Sequence, residues 1–132
     1  LTALDGTLLH ASPIASGWNQ LLGAVRTKGK LPGDIRELLI LRVATHNHAT
    51  YEWIHHEPLR RDAGLTTTQL LVIRDVSRSA LSSSPNPLTP LQPAALAFAD
   101  ASTKDVKVAD STFDALVTEL KIQYGIPLPC CP

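Results

Sequence analysis

"DIRELLILRVATHNHATYEWIHHEPLRRDAG", Asp34 to Gly64, sets an almost unbroken apolar block beside four of the chain's five histidines. Asp34 with Glu37 three residues later resembles a capping box with Asp as the cap, and Pro32 and Gly33 stop whatever precedes it. A helix is expected from about Ile35 to about Thr45. Its apolar residues (Ile35, Leu38, Leu39, Ile40, Leu41, Val43 and Ala44) cover most of its circumference, the mark of a central, nearly buried helix. "HNH" interrupts it, because Asn and His favour turns over apolar helix positions. A second helix is expected from near Ala49 or Thr50 to Ala63. Arg60 and Arg61 suit the negative end of its macrodipole, and Gly64 stops it. Pro58 lies inside, so a kink or a break into two pieces is expected there.

Working outward, "SPIASGWNQLLGAVR" reads as a helix from Pro13 to Arg26. Thr66 and Gln69 form a second capping box, opening a short helix that ends near Arg78. Ser77 to Pro93 is the one low-complexity stretch and reads as a loop (77–93). Thr89 followed by Pro90 caps and opens the helix "LQPAALAFADAS". Ser111 with Asp114 opens a last helix, stopped by Gly125 and Pro127, and residues 126–132 form a tail. Only "VKV" around Val106 hints at a strand, and no internal repeat is visible. The fold class is all-α, one domain over residues 1–132.

Composition narrows the function. Twelve basic residues balance twelve acidic ones, so no net field draws the chain to nucleic acid or to an anionic membrane. The longest apolar runs fall far short of the roughly 18 residues that span a bilayer. The opening "LTALDGTLLHASP" has no basic segment ahead of an apolar one, so no signal peptide is read and a cytoplasmic setting is expected. Cys130 and Cys131 are adjacent and close only a strained, easily reduced ring. They read as free thiols in a frayed tail, with a redox role as the lesser reading.

At about 100° per residue, Glu52 lies near 40° from His48, His55 near −20° and His56 near 80°. One helix face thus offers imidazoles and a carboxylate, while His46 points elsewhere and His10 is remote. Three readings compete. A metal site is disfavoured because no H-E-x-x-H spacing is present, so no metal and no cofactor are assigned. Acid–base chemistry suits Glu52 and His56, which stand at i, i+4. The structural alternative has Tyr51, Trp53 and Ile54 packing inward while the His and Glu residues face water.

The phrases "SPIASGW", "RELLILRVA", "YEWIHH" and "AGL", within His10 to Leu65, together resemble the carboxymuconolactone decarboxylase-like family, which includes the alkylhydroperoxidase D-like proteins; "DSTFDAL" resembles a later family segment. The resemblance implies an all-α alkylhydroperoxidase D-like helical bundle that assembles into homo-oligomers. It also implies a further long apolar helix after "TELKIQY", where this sequence reads "GIPLPCCP". In the family's peroxidase branch a Glu, a Cys-x-x-Cys and a His fall on Glu37, Ala49, Glu52 and His56. Without the two cysteines, thiol peroxidase chemistry is excluded there, and peroxidase activity survives only as a family association. The decarboxylase-like branch has Glu and His at the positions of Glu52 and His56.

That branch implies a cofactor-free lyase or isomerase acting on a small carboxylated or lactone substrate. His56, coupled to Glu52, would protonate the carbon left by departing carbon dioxide. Glu37 would orient or relay, with His56 or Arg42 as its partner. Arg36 or Arg42 would hold a substrate carboxylate, unless one of them pairs with Glu37 instead. His48, His55 and Trp53 complete the expected substrate surroundings, with Trp18 and Trp53 as pocket walls or core. The alternative is a non-catalytic scaffold for binding or assembly. An apolar central helix with few helices to cover it predicts a homo-oligomer, a dimer or trimer.

Overall fold

The computed structural model describes residues 2–77 and 86–125, and every regular element among them is an α-helix. They fall into two compact units, Leu1–Lys30 and Leu31–Pro132. None of these helices is long and apolar enough to cross a membrane.

The first unit holds α1 (Ala3–Leu8) and α2 (Ser12–Thr27). α1 is an element beyond those read from the sequence. Its signal is the reciprocal box between Thr2 and Asp5, whose carboxylate accepts the Thr2 N–H at 2.7 Å. α2 carries Ile14, Trp18, Leu21 and Val25 at helical spacing, all exposed. Trp18 is therefore not a core residue of the described structure.

The second unit holds α3 (Gly33–His46), α4 (Thr50–Asp62), α5 (Thr67–Arg74), α6 (Leu91–Lys104) and α7 (Asp110–Tyr124). α3 packs against α4, α5 and α6, and α7 packs on α6. Ile35, Leu38 and Leu41 of α3 meet Ile73, Leu91, Ala95, Leu96, Leu116 and Leu120 in one buried cluster. No residue of α3 is exposed, as expected of a central helix whose apolar set runs nearly all round.

The ends of the helices differ from expectation in instructive ways. α3 starts at Gly33 with Pro32 as its N-cap, so the Asp34 box does not form. Asp34 sits in the first turn instead, where a negative charge suits the dipole, and Glu37 is buried and committed elsewhere. α4 runs unbroken through Pro58. Pro58 removes the donor to the Ile54 carbonyl, but both residues are exposed, so water can serve that oxygen. α5 does open with the Thr66–Gln69 box, yet stops at Arg74, because the backbone leaves the helical region at Asp75, with φ −84° and ψ 89°. α6 takes Pro90 rather than Thr89 as its N-cap, and α7 begins at Asp110. Gly125 ends α7 with φ 57°, the left-handed stop its sequence position suggests. Around Val106 there is no strand: Val106 itself has φ 60°. Residues 78–85 of the expected 77–93 loop and the tail with Cys130 and Cys131 lie outside the described residues, and the end of that expected loop, from Leu91, belongs to α6.

Gln69 and Gln92 tie the helices together. The Gln69 amide donates to Gln92 Oε1 at 2.9 Å and to the Pro87 carbonyl at 3.2 Å, while Gln92 donates toward Asp34 at 3.4 Å. A polar thread thus crosses from α5 through α6 to α3.

Candidate active site

The α3–α4 pair positions the candidate chemistry. The turn between them is built on Asn47 and His48, with His48 at φ 52°, a left-handed conformation that His tolerates better than most side chains. α4 then returns along α3, with Trp53, His56 and Arg60 on its inner side and Tyr51, Ile54, Pro58 and Leu59 outside. Of the structural alternative read from the sequence, Trp53 does turn inward and His55 outward, but Tyr51 and Ile54 are exposed and His56 faces α3.

His56 meets Glu37 across this interface. The Glu37 carboxylate, 3% exposed as a residue, accepts a hydrogen bond from His56 Nδ1 at 2.7 Å through Oε2. Arg36 Nε donates to the other oxygen, Oε1, at 3.3 Å. A buried carboxylate needs such partners, since an unpaired charge there is strongly disfavoured. With Glu37 ionised, the proton lies on Nδ1, and Nε2 is left as the free nitrogen of an imidazole whose side chain is 12% exposed. The partner of His56 is therefore Glu37, a pairing expected as one of two for that carboxylate, rather than Glu52, which the i, i+4 spacing had favoured. Glu52 is half-buried one turn earlier, and its carboxylate forms no hydrogen bond or ion pair among the described residues.

Arg42 is placed elsewhere. Its side chain is 1% exposed and forms a two-pronged ion pair with Asp100 of α6, Nε to Oδ1 at 2.6 Å and Nη2 to Oδ2 at 2.8 Å. Its remaining nitrogen, Nη1, donates to the carbonyls of Val72, Ile73 and Asp75, at 3.2, 2.9 and 3.0 Å. Those are the orphan acceptors at the C-terminal end of α5, so Arg42 caps that helix while neutralising Asp100. With its donors so engaged, Arg42 is no substrate anchor, and its ion pair is with Asp100 rather than Glu37. His46 shares the site, its Nε2 lying 2.6 Å from Asp100 Oδ1. Burial pushes the Asp100 carboxyl upward, but hydrogen bonds from Arg42 and His46 and their charges outweigh it, so it titrates below the ordinary 3.8.

The other expected residues divide. His55 is exposed on the outer face of α4, with Nδ1 2.7 Å from the Tyr51 carbonyl and its ring 4.2 Å from the Tyr51 ring. It stands apart from the Glu37–His56 pair. Trp53 is half-buried and packs against the core, yet it also lines a groove with Ala44, His48, Ala49, Thr50 and Arg74. Among the described residues no three His, Cys, Asp or Glu side chains gather as a metal site. Arg60, buried at 4% exposure, was not anticipated: Nη1 donates to the Leu65 carbonyl at 2.6 Å and Nη2 to Glu57 at 2.9 Å. A cation in a helix's last turn ordinarily reads as solvated, so the sequence carried no signal for it.

A family model described as the carboxymuconolactone decarboxylase family matches residues 13–101. The chain belongs to the carboxymuconolactone decarboxylase family. Glu37, Glu52, His56 and the Arg42–Asp100 pair all fall inside the span that this family model covers, and α7 lies beyond it. No curated protein and no solved structure matches the chain. Family membership accounts for the all-α architecture and leaves the particular reaction to be argued from the site.

Proposed function

We propose that this carboxymuconolactone decarboxylase-like chain carries out cofactor-free acid–base chemistry, decarboxylation or isomerisation, on a small carboxylated or lactone substrate. The observation behind the reading is the 2.7 Å bond between His56 Nδ1 and the buried Glu37 carboxylate. Glu37 fixes the tautomer and ring orientation of His56, as the acidic member of a histidine–carboxylate pair does. In decarboxylation the bond between the carboxylate carbon and its neighbour breaks, carbon dioxide leaves, and the electron pair remains on the neighbouring carbon. The proton on Nε2 of the His56 imidazolium goes to that carbon. The next proton taken up from solvent restores the imidazolium. In isomerisation the same nitrogen takes a proton from one carbon and returns it to another. Glu52 is available on the same helix to steer water or substrate.

A screen of lactone acids, scored by carbon dioxide release and by ultraviolet change, tests this with the wild type beside His56→Gln and Glu37→Gln. Loss of a positioned proton-transfer group should lower turnover by about 10²–10⁴-fold. A substrate turned over equally well by His56→Gln would overturn the assignment.

A second reading, a scaffold for binding or assembly, is supported by the outer side of α4, where Tyr51, Ile54 and Leu59 are all exposed. No residue of α3 is exposed, so α4, one of several helices with exposed apolar residues, is a better contact surface than the central helix. We propose a homo-oligomer in which α4 contributes to the contact.

A further inference from the structure

The turn joining α3 to α4 and the end of α5 bound an open groove of about 290 Å³, room for about ten water-sized groups. Its wall is chemically two-sided. Ala44, Ala49 and the Trp53 ring give an apolar surface, while Arg74, His48 and the Thr50 hydroxyl give a polar one. α4 opens onto it at Ala49 and Thr50 without a side-chain cap, and Glu52 in its first turn is the one acidic side chain at that end. The Arg74 guanidinium forms no hydrogen bond or ion pair among the described residues. The nearest carboxylate in sequence, Asp75, accepts instead from Ser77, from its N–H at 3.1 Å and its hydroxyl at 2.5 Å.

We propose that this groove binds a small organic carboxylate, with the Arg74 guanidinium taking the carboxylate and the Trp53 ring taking the apolar body. Three observations converge on that ligand class. A free guanidinium offers the planar fork that matches a carboxylate. An indole face beside it suits a ring or short hydrocarbon. The two other arginines expected to serve as anchors are committed, Arg42 to Asp100 and the α5 carbonyls, and Arg36 to Glu37. Arg74 comes from α5, an element that the sequence-based reading of the site did not include.

The groove also stands in a definite relation to the proton-transfer pair. Ala49, Trp53 and His56 lie within about 60° of one another around α4, and His56 is about 4.5 Å of helix rise beyond Trp53. A carboxylate held at Arg74 therefore lays its body along the side of α4 that leads to His56. Treating this ligand as the substrate rests on the acid–base reading of His56; binding in the groove does not.

Trp18→Phe leaves Trp53 as the only indole, since the chain has two tryptophans. In that background, benzoate should change Trp53 fluorescence saturably, with a dissociation constant near or below about 1 mM, a small-fragment affinity. Arg74→Ala should weaken benzoate at least about fivefold, the scale of a charge-assisted bond in an open groove. Benzamide, of the same shape without the charge, should bind equally to both variants. If Trp18→Phe does not fold, the indole N–H resonances of the unaltered chain report the same titration. No saturation by benzoate, or benzoate binding indifferent to Arg74→Ala, would overturn the proposal. The two readings separate cleanly. His56→Gln should abolish turnover and leave benzoate affinity unchanged. Benzoate binding that depends on Arg74 without turnover of any lactone acid removes the dyad and keeps the groove; turnover lost in His56→Gln but with a KM unmoved by Arg74→Ala removes the groove and keeps the dyad.

Discussion

Replacing Asp100 by Ala removes the acceptor for two Arg42 donors and for His46 in one step. Arg42 then remains inside the protein with its Nη1 still bonded to the α5 carbonyls and its other nitrogens facing a void. Stripping one partner from a buried ion pair typically costs about 3–5 kcal/mol, because a charge is left without compensation. The Asp100 side chain is 23% exposed, against 1% for Arg42, so water can enter through the vacated position and soften the loss. The lower end, about 3 kcal/mol, is therefore expected. With a urea dependence of about 1.5 kcal/mol per molar for a chain of this size, the unfolding midpoint should fall by about 2 M, read by circular dichroism at helix wavelengths. The double variant Arg42→Met with Asp100→Leu should recover part of this and not all, because the ends of α5 lose their donor. A midpoint shift under about 0.5 M for Asp100→Ala would refute the reasoning. Arg42 would then be loosely held and free to serve a ligand, and its assignment as a structural residue would fall with it.

Because the Asp100 carboxyl titrates below 3.8 in the fold, its stabilisation is complete above that ordinary value and is lost as pH falls through the depressed one. The stability gap between wild type and Asp100→Asn, measured by urea titrations from about pH 6 down to about pH 2, should therefore shrink only below about pH 4; a constant gap would contradict the ion pair. Val106 sits at φ 60° and is 86% exposed, a left-handed β-branched residue that packs against almost nothing. Val106→Gly should raise stability by about 0.5–1 kcal/mol in the same assay, and a loss would mean that the side chain carries contacts its exposure does not suggest. Light scattering at micromolar concentration should report at least twice the mass of one chain, and Ile54→Lys on the outer side of α4 should reduce it. A stable wild-type monomer would remove α4 as a contact surface.

Periodicity was a reliable guide where the apolar pattern was dense. The central burial of α3, the ends of α4 and the capping box of α5 were all legible, because each rests on local spacing that tertiary packing reinforces. The partners of charged side chains were less so. Glu52 and His56 share a helix at i, i+4, so spacing nominated them as a pair. The interhelical approach of α3 and α4 gave His56 to Glu37 instead, and no local rule registers such an approach. Arg42 likewise found Asp100, 58 residues away in the chain. Arg74 was invisible as a ligand group because its setting is made by three elements meeting, the end of α3, the start of α4 and the end of α5. Glu37 was also claimed by an apparent cap whose role Pro32 performs without any side chain.

α5 is only eight residues long, too short to persist as a helix by its own hydrogen bonds. It exists because Thr66 and Gln69 close one end and Arg42 closes the other. Arg74 rides on the last turn of that borrowed helix. The aim of the proposed ligand anchor is thus set by a salt bridge that no ligand touches. A genetic selection for loss of binding would return substitutions at Asp100 alongside those at Arg74, and in the first class the lesion would be one of geometry, curable by any change that re-seats the end of α5.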